Sequence, residues 1–323
     1  MTRVYAAVLL LAAGSAGCSI NPQLRVAEAL PAHAGTLLLG DVPFHPQTEY
    51  QCGPAALAGV LGASGIATTP DDLEPQVYLP GREGSLQLEL VAATRRAGRI
   101  PYVVEGSPEA LLAEVAGGRP VLVLQNLLTR SVPRWHYAVL VGADPGGNHM
   151  VLNSGTTRGL EMDARKFLRT WDWAGRWGMV ALRPGQLPAR ANPAGYLLAV
   201  ADFEAVAGAE AAAPAYEAAI EHWPDDPRPR LAMGNHAHGM RDAGAAARHY
   251  RAGLALAPDD PVLANNLASV LGELGCREEA HAVLGSALAA APGDSRWRPT
   301  LSATADEIEQ GTAKRSPICA ELR

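Results

Sequence analysis

The sequence predicts two units in tandem: an α+β domain, with a helical half followed by an antiparallel sheet, and then an all-α repeat region. Three observations carry this reading. Helix signals precede most of the strand signals between residues 38 and 187, and the strand signals cluster after Pro120 as short apolar runs set apart by turn residues. From about Gln186 the composition shifts to alanine-rich sequence through Pro188, Asn192 and Pro193, which places a domain boundary there. Beyond it, Trp223-Pro224-Asp225-Asp226-Pro227, Ala257-Pro258-Asp259-Asp260-Pro261 and Ala291-Pro292-Gly293-Asp294 recur every 34 residues. The length of 323 residues exceeds one ordinary domain, so two cores are expected.

The N-terminus reads as an address, not as fold. Met1-Thr2-Arg3 carries one positive charge, Val4 to Ala13 are apolar, and Ser15-Ala16-Gly17 supplies small residues before Cys18. That is the pattern of a secretory signal over residues 1–17. Its last four residues resemble a bacterial lipobox, with Ser15 in place of the usual leucine, and the resemblance implies lipidation of Cys18; an ordinary cleaved signal is the alternative. Several acyl chains on one residue would hold the protein to a membrane. Ser19 stands where an inner-membrane lipoprotein typically carries aspartate, so the resemblance implies the outer membrane of a bacterial cell envelope, facing the periplasm. Residues 18–37 read as a tether.

Within 38–187 the elements follow from local chemistry. Leu37 to Phe44 reads as a strand running into a loop, and a helix begins at Cys52-Gly53-Pro54, because proline fits the first helical turn where its missing N–H is unneeded. Thr69-Pro70-Asp71-Asp72 and Ser107-Pro108-Glu109 are helix starts, each a capping side chain before proline and first-turn acids. A third helix begins at Ser85-Leu86-Gln87 and stops at Gly98. Strands are expected at 100–104, 120–124, 137–142, 149–153 and 178–182, with a helix from Asp163 to about Thr170 and a hairpin at Asp144-Pro145-Gly146-Gly147.

The candidate chemistry centres on Gln47-Thr48-Glu49-Tyr50-Gln51-Cys52-Gly53-Pro54-Ala55-Ala56-Leu57-Ala58. A cysteine at a helix start lies beside unpaired N–H groups and the positive end of the helix dipole, which favour thiolate, the form that attacks carbonyls. Downstream, Trp135-His136-Tyr137-Ala138-Val139-Leu140-Val141-Gly142 brings a histidine into an apolar strand, and Val151-Leu152-Asn153-Ser154 ends the next strand in an amide. These segments resemble the bacteriocin-processing, or double-glycine-leader, peptidases, which are papain-like cysteine proteases. The resemblance covers about residues 38 to 185. It implies a papain-like fold with Cys52 as nucleophile, His136 as base and acid, Asn153 orienting the imidazole, and Gln47 with the Cys52 N–H stabilising the oxyanion. Gln47 lies five residues before Cys52 where that family has six, which leaves Gln51 as the alternative donor. Asn153 stands where those peptidases usually carry aspartate, although asparagine also serves in papain. Acyl transfer to an amine is a further alternative to hydrolysis. His45 reads as a loop residue and His149 as the far end of its strand. Trp135 is a candidate groove wall, whereas Trp171, Trp173 and Trp177 read as core.

The 34-residue pattern carries Ala212, Ala246 and Ala280, then Tyr216, Tyr250 and Leu284, then Ala219, Gly253 and Ala287 in one register. This resembles the tetratricopeptide repeat, with three units from about 193 to 294. The segment 297–310 then reads as a capping helix and 311–323 as a tail. Such repeats stack into a solenoid whose concave face holds a peptide or a partner protein, so the expected partners are a peptide or protein substrate and a protein docked on the repeats. The net charge of −6 and the absence of a basic cluster argue against nucleic acid. No cofactor or metal site is expected: no Cys-x-x-Cys pair occurs, and His236 and His238 cannot share a helical face. Cys276 and Cys319 could pair in an exported protein or leave a thiol in a loose tail. A catalytically degenerate adaptor working through its repeats is the rival of the peptidase reading.

Overall fold

The computed structural model describes residue 26 and residues 35–46 and 51–321. The signal segment, Cys18, nearly all of the tether and Gln47 lie outside these residues.

The first long helix, α1 (Cys52–Ala63), starts without a side-chain cap. Burial holds it in place instead: Leu57 and Leu61 are fully buried, and each contributes roughly 1.5–3 kcal/mol by leaving water. Helix α2 (Pro70–Val77) begins with a capping box, in which Thr69 Oγ1 accepts from the Asp72 N–H and the Thr69 N–H donates to Asp72 Oδ2. A short antiparallel pair follows, β2 (Tyr78–Leu79) with β3 (Gly84–Ser85). Helix α3 (Gln87–Arg96) starts two residues later than the sequence suggests, because Ser85 is held in that pair.

Helix α4 (Pro108–Ala116) and helix α5 (Ala164–Asp172) are capped by Ser107 and Asp163. The sheet joins β1 (Leu37–Leu38), β4 (Ile100–Val103), β5 (Val121–Asn126), β6 (Trp135–Asp144), β7 (His149–Ser154), β8 (Thr157–Asp163) and β9 (Gly178–Leu182). Its order is β4-β9-β5-β6-β7-β8, with β1 on β6, and every neighbouring pair is antiparallel. Strand β8 was not expected from the sequence. Its polar Thr157-Arg158-Gly159 stretch has little strand character, and it is ordered by pairing along β7 at the sheet edge.

Alternation along β6 divides the core. Tyr137, Val139 and Val141 pack with α1 and α3, while Ala138 and Leu140 pack on the other face with α4 and α5. Helices thus cover both faces, and α1 lies against β6.

The remaining helices are α6 (Pro193–Ala207), α7 (Ala209–His222), α8 (Pro227–Gly239), α9 (Ala243–Leu256), α10 (Pro261–Glu273), α11 (Arg277–Ala290) and α12 (Arg298–Gln310). Pro193, Pro227 and Pro261 open alternate helices 34 residues apart, each after an Asn or Asp cap. Each helix packs on the next, and α8 to α12 enclose their own core. The expected boundary at 187–193 does not interrupt the core, however. Tyr196, Phe203 and Tyr216 of the first helix pair are buried in one cluster with Phe167 and Trp171 of the sheet domain. The linker is pinned as well, since the Ala189 N–H donates to Glu114 Oε1 at 2.7 Å. Cys276 and Cys319 form a disulfide with a Cα–Cα distance of 5.4 Å. The C-terminal segment is therefore strapped to the repeat core, where Cys319 is fully buried.

Candidate active site

Cys52 is the first residue of α1 and, among the described residues, the free cysteine. It is half-buried at the floor of a cleft of about 630 Å³ whose walls include Arg82, Ser85, Leu86, Arg134, Trp135 and Tyr137. Its environment differs from the expectation at one point. Burial pushes the Cys52 thiol up, and the opposing pull of the main-chain groups of Tyr137, Gly53 and Cys52 itself does not overcome it. The resting group is a thiol, because desolvation outweighs the donors that the helix start supplies.

His136 enters at the second position of β6, beside Tyr137, whose backbone reaches the Cys52 sulfur. Burial, and secondarily Arg134, pushes the imidazole down to about 4, so it is neutral at neutral pH. Among the described residues no hydrogen bond joins Cys52 to His136, which does not line the Cys52 cleft: it shares its sheet face with Ala138, away from α1, and the imidazole Nε2 lies 2.9 Å from Ser154 Oγ.

Asn153 does not meet His136. It sits opposite Val139, and its Oδ1 accepts from the Gly159 N–H at 3.0 Å. The cause is a register shift between Leu140 and Gly142. An unbroken hairpin pairing Gly142 with Val151 would set Asn153 opposite Leu140, on the face that His136 shares with Ala138. The extra residue in β6 moves Ser154 onto that face and turns Asn153 to the other.

Gln47, the expected oxyanion donor, lies outside the described residues. Gln51, its alternative, donates its Nε2 to Glu74 Oε2 at 2.9 Å. Trp135 is 55% exposed and walls the cleft, as the sequence suggested, while Trp171 is buried and donates to the Trp177 carbonyl. His149 stands at the far end of β7, opposite Asp144, and His45 does not line the cleft. Among the described residues no cluster of three metal-binding side chains occurs, and no helix is long and apolar enough to cross a membrane.

Gly53 shows how tightly the site is built. A Cβ there would collide with Ser85 Oγ and lie 2.6 Å from Ser85 Cβ, so α1 can approach β3 only without a side chain at this position. Gly53→Ala is expected to destabilise the fold by about 1–3 kcal/mol through overpacking, read as a lowered midpoint of urea unfolding.

Comparison with known proteins bears on this cleft. Residues 39–179 match the model of the Peptidase_C39 like family. That region is similar to C39 cysteine peptidases. The match includes Cys52, His136, Asn153 and Ser154 and stops before the helical repeats. A solved structure described as a candidate C39-like peptidase from Bacillus anthracis is 18% identical; the alignment covers 46% of this chain and 98% of that one, with a TM-score of 0.40. No curated protein matches the chain. The match ends within β9, before the linker to α6.

Proposed function

We propose that the C39-like region is a cysteine peptidase that hydrolyses peptide bonds through Cys52. The observation that carries this is a free thiol at the start of α1, on the floor of an open cleft, with donors of the Tyr137 and Gly53 backbone turned toward its sulfur. His136, which shares its sheet face with Ala138 rather than with the α1-facing Tyr137, must swing its ring round the end of β6 to take the thiol proton as the sulfur attacks and return it to the leaving amine. Ser154 is the residue that orients the imidazole, in the place the sequence reading gives to Asn153. Water then hydrolyses the thioester. The helical repeats, read as a tetratricopeptide solenoid, recruit the substrate or a protein partner. Lipidation at Cys18 holds the protein to the outer membrane, facing the periplasm. The Cys276–Cys319 disulfide supports an oxidising compartment.

The pairing of His136 with Ser154 rather than with Cys52, on the sheet face away from α1, favours a second reading. In it the C39-like region is a degenerate adaptor that binds peptides without cleaving them. Acylation by p-nitrophenyl acetate separates the two: a burst of p-nitrophenolate that requires both Cys52 and His136 establishes the peptidase chemistry, and its absence leaves the adaptor.

The pH dependence follows from the two shifts. The imidazole loses its proton at about 4 and the thiol loses its own only above the ordinary cysteine value, so between these limits both groups are neutral. Alkylation of Cys52 by iodoacetamide is therefore expected to rise with pH to a midpoint above that of free cysteine measured alongside. A reactive plateau in mildly acidic solution would show a preformed thiolate–imidazolium pair and contradict the resting state described here.

A further inference from the structure

Ser85 carries a hydroxyl that the fold buries and that, among the described residues, has no hydrogen-bond partner. It also lies in the wall of the Cys52 cleft. Its backbone is fixed twice: Ser85 pairs with Tyr78 in the β2–β3 ladder, and the Tyr137 hydroxyl donates to the Ser85 carbonyl at 3.2 Å. The Tyr137 ring is in turn held edge-on by Trp177, at 6.0 Å between centroids. On the other side, Gly53 brings the first turn of α1 so close that no Cβ could stand between that turn and Ser85 Oγ. An unsatisfied buried hydroxyl is costly, and a rigid frame that holds one against the first turn of the Cys52 helix, in the wall of the same cleft, calls for a bonding partner that arrives with the substrate.

We propose that Ser85 is a catalytic residue of this site, whose O–H donates to the oxyanion formed when Cys52 attacks a carbonyl. The inference rests on the peptidase reading above. In the step, the Cys52 sulfur bonds to the carbonyl carbon while its proton passes to His136, and the C=O π pair moves onto oxygen. Ser85 Oγ and the main-chain N–H groups of Cys52 and Gly53 at the start of α1 donate to that oxygen. Collapse restores the C=O bond and expels the amine, which takes the proton from His136. The hydroxyl remains a donor throughout and keeps its proton.

The test compares two reactions of the same thiol in the full chain, with Cys52→Ala as background. Acylation by p-nitrophenyl acetate passes through an oxyanion, whereas alkylation by iodoacetamide does not. The Ser85→Ala variant is expected to lower the ratio of acylation to alkylation by about 10²-fold. Its alkylation rate should stay within about twofold and its thermal midpoint should not fall, since the removed hydroxyl has no partner to lose. A wild-type ratio above that of free cysteine that is unchanged in Ser85→Ala overturns the role of Ser85 and leaves the peptidase reading intact. A lowered midpoint with altered alkylation makes Ser85 structural and also overturns it. A wild-type ratio equal to that of free cysteine overturns the peptidase reading, and this inference with it.

Discussion

His136→Ala is expected to lower acylation of Cys52 by about 10²- to 10⁴-fold, the usual range for losing a positioned proton-transfer group, while Cys52→Ala abolishes it. Because thiol and imidazole are both neutral in the resting site, the proton has to move as the sulfur attacks. The loss should therefore be largest at neutral pH and shrink in strong base, where the thiol ionises unaided. A loss that is constant across pH would contradict general-base transfer. Two neighbours separate the orienting role from a merely structural one. Ser154→Ala removes the group 2.9 Å from the imidazole Nε2, so it should reduce acylation and leave stability nearly unchanged. Asn153→Ala instead strips the Gly159 N–H of its acceptor in a buried setting, and should cost about 1–3 kcal/mol of stability with a smaller effect on acylation. The reverse order, with Asn153→Ala the more damaging to acylation, would restore Asn153 to the place the sequence gives it.

The contrast between Asn153 and Ser154 shows where sequence reading ends. Helix starts were legible because cap chemistry is local: Thr69, Ser107 and Asp163 each bond to a main-chain N–H two or three residues on. The 34-residue period was legible because it repeats. A bulge has no such signature. One extra residue near Val141 leaves the apolar run of β6 unbroken, yet it decides which of two adjacent polar residues faces His136. Ser85 was hidden for a related reason. It reads as a helix start by its neighbours, and its place beside Gly53 comes from the β2–β3 pair and the fold of α1, contacts between segments about 30 residues apart. Burial of Cys52 was equally beyond local reading, since the surroundings that raise its thiol come from strands 80 residues downstream. The shared core of α6, α7 and the sheet was masked by a linker whose proline and alanine content reads as a boundary.

Removing the Cys276–Cys319 bridge is expected to cost about 4 kcal/mol, the loop-closure value for a separation of 43 residues. The bridge ties the turn Pro317–Ala320 to the start of α11, and beside it the Ser316 N–H donates to the Leu274 carbonyl at 2.9 Å, Arg315 pairs with Glu279 at 2.7 Å and Arg277 bonds to the Gly311 carbonyl. Without the covalent link those bonds must hold a segment containing only a single short turn, Pro317–Ala320. Ile318 and Cys319 would then leave the core of α8 to α12. Cys319→Ser in a Cys52→Ala background, which prevents exchange with the remaining thiol, should lower the thermal midpoint by on the order of 10 °C and expose the last residues to limited proteolysis. The sheet domain has a core of its own and a second that it shares with α6 and α7; it should unfold near its original temperature, so the variant is expected to unfold in two transitions. If the variant instead keeps one transition at an unchanged midpoint, with residues 311–321 still protected, the non-covalent contacts hold the strap and the disulfide adds nothing to it. If both units shift together, the shared burial of Tyr196, Phe203 and Tyr216 with Phe167 and Trp171 couples the repeats to the half that holds Cys52. Damage at the C-terminus would then reach the Cys52 cleft through stability alone.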